Sequence, residues 1–290
     1  MNYAQSELQL VYIGDFKTSK GDIIKDCKIG FRTVGKLNVD KSNVVLWPTW
    51  FTGTSEQIIN YGFTNSLIDT TGLFIIIVDA LTNGVSSSPS NTPDFPTISV
   101  RDMVNSQYIL LVNHLNIDHV FAVMGISMGG MQTFEWVVAY PDFMDKAIPI
   151  VGSPKQSSYD KLVWQTMADL MTEAGQDPQK LDFAYKKAHN IVLMNANTPT
   201  LFAETIKPDS LDIYLEEEYS RLMKPEDYLG GLNAVRAFQS SLVSDWWACG
   251  YVASQNLVVE RPEEACADFF YNSGVRRARE RADRPMHPWL

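Results

Sequence analysis

Along the first 35 residues the apolar positions fall into two strand-like stretches, Leu8–Phe16 and Ile23–Val34, split by the polar turn Ser19-Lys20-Gly21-Asp22. This pattern predicts an antiparallel hairpin at the edge of a sheet. The rhythm then changes. Asn43–Thr49, Leu73–Asp79, Val120–Ile126 and Lys146–Val151 are short and almost continuously apolar, as expected of strands buried on both faces of a parallel sheet. Helical stretches separate them. Ser99 and Asp102 have capping-box spacing, and Val104, Tyr108, Leu111 and Leu115 follow at helical intervals. Met128–Ala139 reads as a second helix closed by Tyr140-Pro141. Strands alternating with helices predict a doubly wound, mostly parallel α/β sheet.

After Pro154 the pattern is helical. Leu162–Glu173, Leu181–Ile191, Leu211–Met223 and Tyr228–Trp247 are candidate helices, punctuated by Asp177-Pro178, Thr198-Pro199 and Lys224-Pro225. The expected organisation is a core over 1–157, a helical lid over 158–247 and an atypical tail over 248–290. Leu257–Val259 is a candidate short strand. Five of the ten arginines lie between Arg276 and Arg284, and no lysine follows Lys224. A tail with closely spaced like charges and no apolar stripe is expected to pack loosely.

Composition narrows the classes. A chain of 290 residues and 32.7 kDa suits one α/β domain carrying an insertion. With 45% apolar and 20% charged residues it is ordinarily globular. A net charge of −10 lacks the basic footprint of a nucleic-acid binder. Cys27, Cys249 and Cys266 form neither a disulfide framework nor a metal-site spacing. The polar start, Met1 to Glu7, has no apolar leader core, and the longest apolar run, Leu73 to Val78, is far too short to span a bilayer. A cytoplasmic enzyme without a membrane or nucleic-acid partner is the expectation.

One motif carries chemistry. Val120–Ile126 runs into Gly125-Ile126-Ser127-Met128-Gly129-Gly130, and a helix follows. This is a G-x-S-x-G nucleophile elbow in its strand–turn–helix setting. Larger residues two before and two after Ser127 would clash in so sharp a turn. The helix from Met128 points its free N–H groups and positive dipole end at the site. Ser127 is the candidate nucleophile, and the Met128 N–H is one candidate oxyanion donor. The second donor is expected in the loop after Asn43–Thr49, at Phe51 or Thr52.

Beyond the elbow, the chain resembles the homoserine O-acetyltransferase family of the α/β-hydrolase fold. The likeness rests on Phe51-Thr52-Gly53-Thr54-Ser55, on Val78-Asp79 with Asn83-Gly84-Val85-Ser86-Ser87-Ser88-Pro89-Ser90, and on Phe95 to Asp102. It is most specific in Gly125 to Gln132, continued by Glu135-Trp136 and Tyr140-Pro141-Asp142. It covers about residues 8 to 155, weakens through the helices and is absent after about 255. It implies an α/β-hydrolase fold with a helical lid. It further implies an acyl-Ser127 intermediate, acyl-CoA as small-molecule donor, a hydroxyl acceptor, no other cofactor and no metal. The lid helices would form a homodimer interface.

Two features depart from that family. Ser158 to Gln165 contains no arginine to bind the acceptor's carboxylate; Lys161 offers only a point charge there. The fold also places an acid and a histidine after the lid, and no matching strand–loop pattern follows Trp247. His114 and His119 precede the nucleophile, and His189 lies on a lid helix. His287 alone has the right order, with Asp245 and Asp268 as acid candidates. The break near Glu260 fits a truncated or frame-shifted reading frame, and an incomplete triad would impair catalysis. An acyltransferase-like serine enzyme, a carboxylesterase of the same lineage and a non-catalytic binding protein are the three readings left open.

Overall fold

The computed structural model describes residues 7–61, 69–175, 177–238 and 259–260. A seven-stranded sheet runs in the order β1 (Gln9–Tyr12), β4 (Lys28–Gly35), β6 (Phe74–Val78), β5 (Val44–Pro48), β7 (Val120–Ile126), β8 (Met144–Ile150), β9 (Val259–Glu260). β6, β5, β7 and β8 are parallel neighbours, while β1, β4 and β9 add antiparallel edges. The doubly wound, mostly parallel sheet expected from the apolar runs is therefore present.

The first hairpin is more broken than its apolar pattern suggests. Gln9 to Tyr12 pair with Phe31 to Lys28, but β2 (Phe16–Lys17) and β3 (Ile23–Ile24) form a separate two-stranded sheet around the polar turn. Gly14 and Asp26, both at positive φ, turn the chain out of the main sheet between the two pairings.

Successive side chains of the central strands point to opposite faces, and each face has its own core. Val44, Leu46, Ile76, Val78 and Val123 pack against Met103, Val104, Leu110 and Trp136 from the helices α2 (Val100–Ile109) and α3 (Met128–Ala139) and the wider π-helical turn Leu110–His114. Val45, Trp47, Ile75, Ile77, Ala122 and Met124 face the other way, against Ile58 of α1 (Ser55–Asn60). Each fully buried aliphatic side chain contributes about 1.5–3 kcal/mol over an exposed one, which is why continuous Val/Ile runs occupy these strands.

Among the described residues, five helices follow β8: α4 (Ser158–Ala174), α5 (Pro178–Ala196), α6 (Pro199–Thr205), α7 (Leu211–Ser220) and α8 (Pro225–Ala237). Prolines at N1 start α5, α6 and α8, and Ser157, Asp177 and Thr198 cap α4, α5 and α6 through their side-chain oxygens. The short helices α1 and α6 carry no long periodic stripe and were not anticipated. Beyond Phe238, the expected helix to Trp247 lies outside the described residues.

β5 lies between β6 on one side and β7 on the other. The chain order reverses there, so the carboxyl ends of β5 and β7 flank the crevice where open α/β sheets bind ligands.

Candidate active site

Ser127 sits at that crevice. It follows β7 directly and adopts φ 56°, ψ −118°, a strained backbone for a residue with a Cβ. Its N–H donates to the Ile150 carbonyl (2.9 Å), which prolongs the β7–β8 pairing, and its carbonyl accepts from Met131 N (3.0 Å), which starts α3. Strand and helix therefore meet within one residue. A Cβ on Gly125 would lie 2.3 Å from the Gly129 carbonyl carbon, and one on Gly129 would lie 2.6 Å from Pro48 O. The first of these approaches keeps the turn sharp. The second sets the first turn of α3, with the buried Met128, against the end of β5.

The loop after β5 faces Ser127's helix. Thr49 N donates to Val78 O (3.0 Å), and Thr49 Oγ1 accepts from Ala80 N (3.0 Å). Four residues on, Asn83 Nδ2 donates to Gly53 O (3.1 Å), while Ser55 N and Oγ donate to the Asp79 carboxylate at 2.7 and 2.6 Å. Burial pushes the Asp79 carboxyl up from its ordinary value, against the bonds from Ser55 and Asn83 and the nearby Arg32 charge. Phe51 is buried, its ring 5.7 Å from that of Trp164 on α4 and 4.9 Å from that of Tyr228 on α8. Thr52 is half-buried beside it. The two candidate donor segments, Met128 and Phe51/Thr52, thus stand at the ends of adjacent strands. The anchoring by Asp79 and Asn83 was not foreseen. Its signal was the polar run after β6, which is too buried for a solvent loop.

A cavity of about 300 Å³ opens over Ser127. Ser127, Met131 and Val151 form its floor, and Asp160, Trp164 and Met167 from α4 with Asn195 from α5 form its roof. Val151 holds φ 44°, unusual for a β-branched residue. The walls are mostly apolar, with a few polar groups among them, the composition of a small-molecule site. Asp160 accepts from Ser157 N (2.9 Å) and Oγ (2.8 Å), and Asn195 Oδ1 accepts from Tyr159 OH (3.2 Å). Among the described residues lining the cavity none is basic. Lys161 is exposed on α4. The Ser158 to Gln165 stretch instead meets Arg236 of α8, which donates to Gln165 Oε1 at 3.3 Å.

None of the three described histidines lines this cavity. His114 is exposed at the end of the π-helical turn. His119 lies near the Asp142 carbonyl (3.2 Å) and Asp145 Oδ1 (3.1 Å) at the opposite, amino end of β7 and β8. His189 packs on α5 with its Nε2 3.5 Å from Glu218 Oε2, and burial holds its pKa below the usual imidazole value. His287, Asp245 and Asp268 lie outside the described residues. No cluster of three or more metal-ligating side chains occurs among the described residues, and no described helix is long and apolar enough to cross a membrane.

A family model described as alpha/beta hydrolase fold matches residues 43–225. A probable esterase of Corynebacterium glutamicum is 38% identical over 171 residues, 56% of this chain and 49% of that protein. A homoserine O-acetyltransferase of Methanococcoides burtonii is 34% identical over 179 residues, 51% of this chain and 36% of that protein. Among solved structures, an acetylester hydrolase from Corynebacterium glutamicum superposes with a TM-score of 0.72 at 29% identity, covering 82% of this chain and 74% of that one. The chain thus spans about half the length of the esterase relative and about a third of the transferase relative. The homoserine O-acetyltransferase likeness read from the motifs is present, and esterases stand beside it.

Proposed function

The chain belongs to the α/β-hydrolase fold family, and on that premise we propose that it transfers acyl groups through Ser127. The observation that carries this reading is the elbow itself: a serine at φ 56° on the floor of a cavity of about 300 Å³, between glycines that admit no side chain. Fold alone would not support an activity; the site's chemistry does. Ser127 would take an acyl group from a small ester or from acyl-CoA, with the N–H groups of Met128 and of Phe51 or Thr52 binding the tetrahedral oxyanion. The acyl-serine would then pass its acyl group to a hydroxyl acceptor. Proton transfer requires a base, and His287 is the histidine whose chain order suits that role.

Water as the acceptor, hydrolysis of a carboxylic ester, is the second reading. It is favoured by the esterase relative and by a cavity lining that pairs Asp160 with no described basic group. The cap formed by the helices α4 to α8 also supports a homodimer, because Tyr159, Leu162, Phe183, Met194 and Ile213 expose large apolar side chains on α4, α5 and α7. A cytoplasmic setting without nucleic-acid or membrane partners fits the acidic charge.

The test is a serine-directed fluorophosphonate probe. Wild-type protein is expected to gain one label at Ser127, and Ser127→Ala to gain none while keeping its melting temperature. Labelling that survives in the Ala variant would remove Ser127 from the mechanism.

A further inference from the structure

Three polar side chains are buried together between α2, α3 and the end of β5: Gln107, Gln132 and Trp136, each 0–1% exposed. They form one directed chain. Trp136 Nε1 donates to Gln107 Oε1 (2.9 Å), Gln107 Nε2 donates to Gln132 Oε1 (2.6 Å), and Gln132 Nε2 donates to Thr49 O (3.0 Å). An indole N–H can only donate. It therefore fixes which end of Gln107 faces it, and Gln107 in turn fixes Gln132. The same Gln132 Nε2 lies 3.4 Å from Met128 O.

Thr49 is the residue from which the loop to Phe51 and Thr52 departs, and Met128 is the first residue of α3. From this geometry we infer that Gln132 is a positioning residue, which sets the separation of the two oxyanion donor segments and holds it through the Trp136–Gln107 relay. The inference rests on the acyl-transfer reading of Ser127. Gln132 touches no substrate. It acts through Thr49 and Met128, and a buried amide with both ends satisfied holds one geometry because every alternative leaves a buried group unpaired. The far end of the loop is held independently by Asn83 on Gly53 and Asp79 on Ser55, so losing Gln132 should tilt the loop without releasing it.

The experiment compares p-nitrophenyl acetate turnover by the full chain, by Gln132→Met and by Gln132→Glu. Met keeps the length and removes the donor. Glu keeps the shape and can donate to Thr49 O only when protonated. A misplacement of this kind costs up to about 100-fold in rate. Gln132→Met should lose about 10- to 100-fold in kcat with KM within about twofold. The deficit of Gln132→Glu should shrink as the pH falls from 8 to 5, a recovery that loss of packing would not give. A folded Gln132→Met with wild-type kcat overturns the inference. Should Gln132→Met not fold, Gln107→Glu carries the test. When ionised, its carboxylate accepts from both Trp136 and Gln132, turns the Gln132 oxygen towards Thr49 O, and should lower kcat with KM little changed, the loss shrinking as the pH falls and the protonated carboxyl donates to Gln132 again; wild-type kcat across pH 5 to 9 overturns the inference equally. Ser127→Ala is run in parallel. Wild-type turnover in that variant, or no turnover above buffer in wild-type protein, removes the acyl-transfer reading and this inference with it. Lost turnover in Ser127→Ala with unchanged Gln132 variants removes the positioning role alone.

Discussion

Gly152 and Gly130 pack backbone on backbone: a Cβ on Gly152 would lie 2.7 Å from both the Cα and the carbonyl carbon of Gly130. This contact seats α3 on the end of β8, one residue beyond Val151 in the cavity floor. The helix that presents Ser127 is therefore gripped by glycines at both of its neighbouring strands, Gly129 on β5 and Gly130 on β8.

Gly152→Ala should force α3 away from β8, because neither partner is a flexible side chain. Overpacking of this kind costs about 1–3 kcal/mol. The urea midpoint should fall, and fluorophosphonate labelling of Ser127 should slow in the fraction that remains folded. Ser153→Ala, one position on and in the cavity lining, loses only a solvent-exposed bond from its hydroxyl to Lys155 O and should leave the midpoint nearly unchanged. Equal midpoints for Gly152→Ala and Ser153→Ala would show that the helix is not seated by this contact.

The acceptor should carry no carboxylate. Asp160 is the charged group among the described cavity-lining residues, and Lys161 is exposed on the helix rather than in the cavity. The carboxylate of an alcohol such as homoserine would find no charge-assisted partner there, only Asp160, which repels it although it can pair with the ammonium group; the missing bond is worth about 1.5–3 kcal/mol. In a panel of hydroxyl acceptors, kcat/KM for homoserine should fall at least about tenfold below that of a neutral alcohol of similar size. A preference for homoserine would point to a cation supplied from outside the described residues.

How far the sequence disclosed this site depends on how local each signal is. The elbow was legible because its requirement is met within six consecutive residues, Gly125 to Gly130, between a buried strand and a helix. The central strands were legible because burial on both faces leaves no room for polar residues in Val44–Pro48 or Phe74–Val78. Gln132 was visible inside a motif, but its role was not. Its partners Thr49 and Gln107 come from distant parts of the chain, and only packing brings them together. Gly152 and Asn83 are of the same kind: each matters for a backbone contact made by a remote segment. Arg236, which meets Gln165 across the cap, could not be paired with that stretch by spacing. The first hairpin was over-read, because an apolar pattern of period two does not reveal where positive-φ residues such as Asp26 turn the strand aside.

The junction between cap and core should be sensitive to pH through Asp227. This carboxylate, on the first turn of α8, accepts from Ser90 N (2.8 Å) and Ser90 Oγ (2.6 Å) in the run that also carries Asn83, and it is 1% exposed. Burial raises its pKa above the ordinary value; the two Ser90 bonds and Lys224 oppose the rise, and Glu226 adds to it. A carboxyl with a raised pKa in the fold binds its proton more tightly there than in the unfolded chain. Between the unfolded pKa, near 4, and the higher folded value, the folded state therefore carries more protons, and this group's contribution to stability falls as the pH rises through that window. Asn at this position keeps the shape: its oxygen accepts from Ser90 N, and its amide can donate to Ser90 Oγ. It carries no charge to desolvate. The melting temperature of Asp227→Asn relative to wild type should therefore increase from pH 4 to pH 7. Each unit of pKa displacement is worth about 1.4 kcal/mol, and about 1 kcal/mol moves the melting temperature of a domain this size by roughly 2–4 °C. The increase should level off once the folded carboxylate is ionised. A difference that is flat across this range, or that turns against the Asn variant as the pH rises, would mean that the Ser90 bonds outweigh burial and that the charged form of Asp227 is the one the fold prefers.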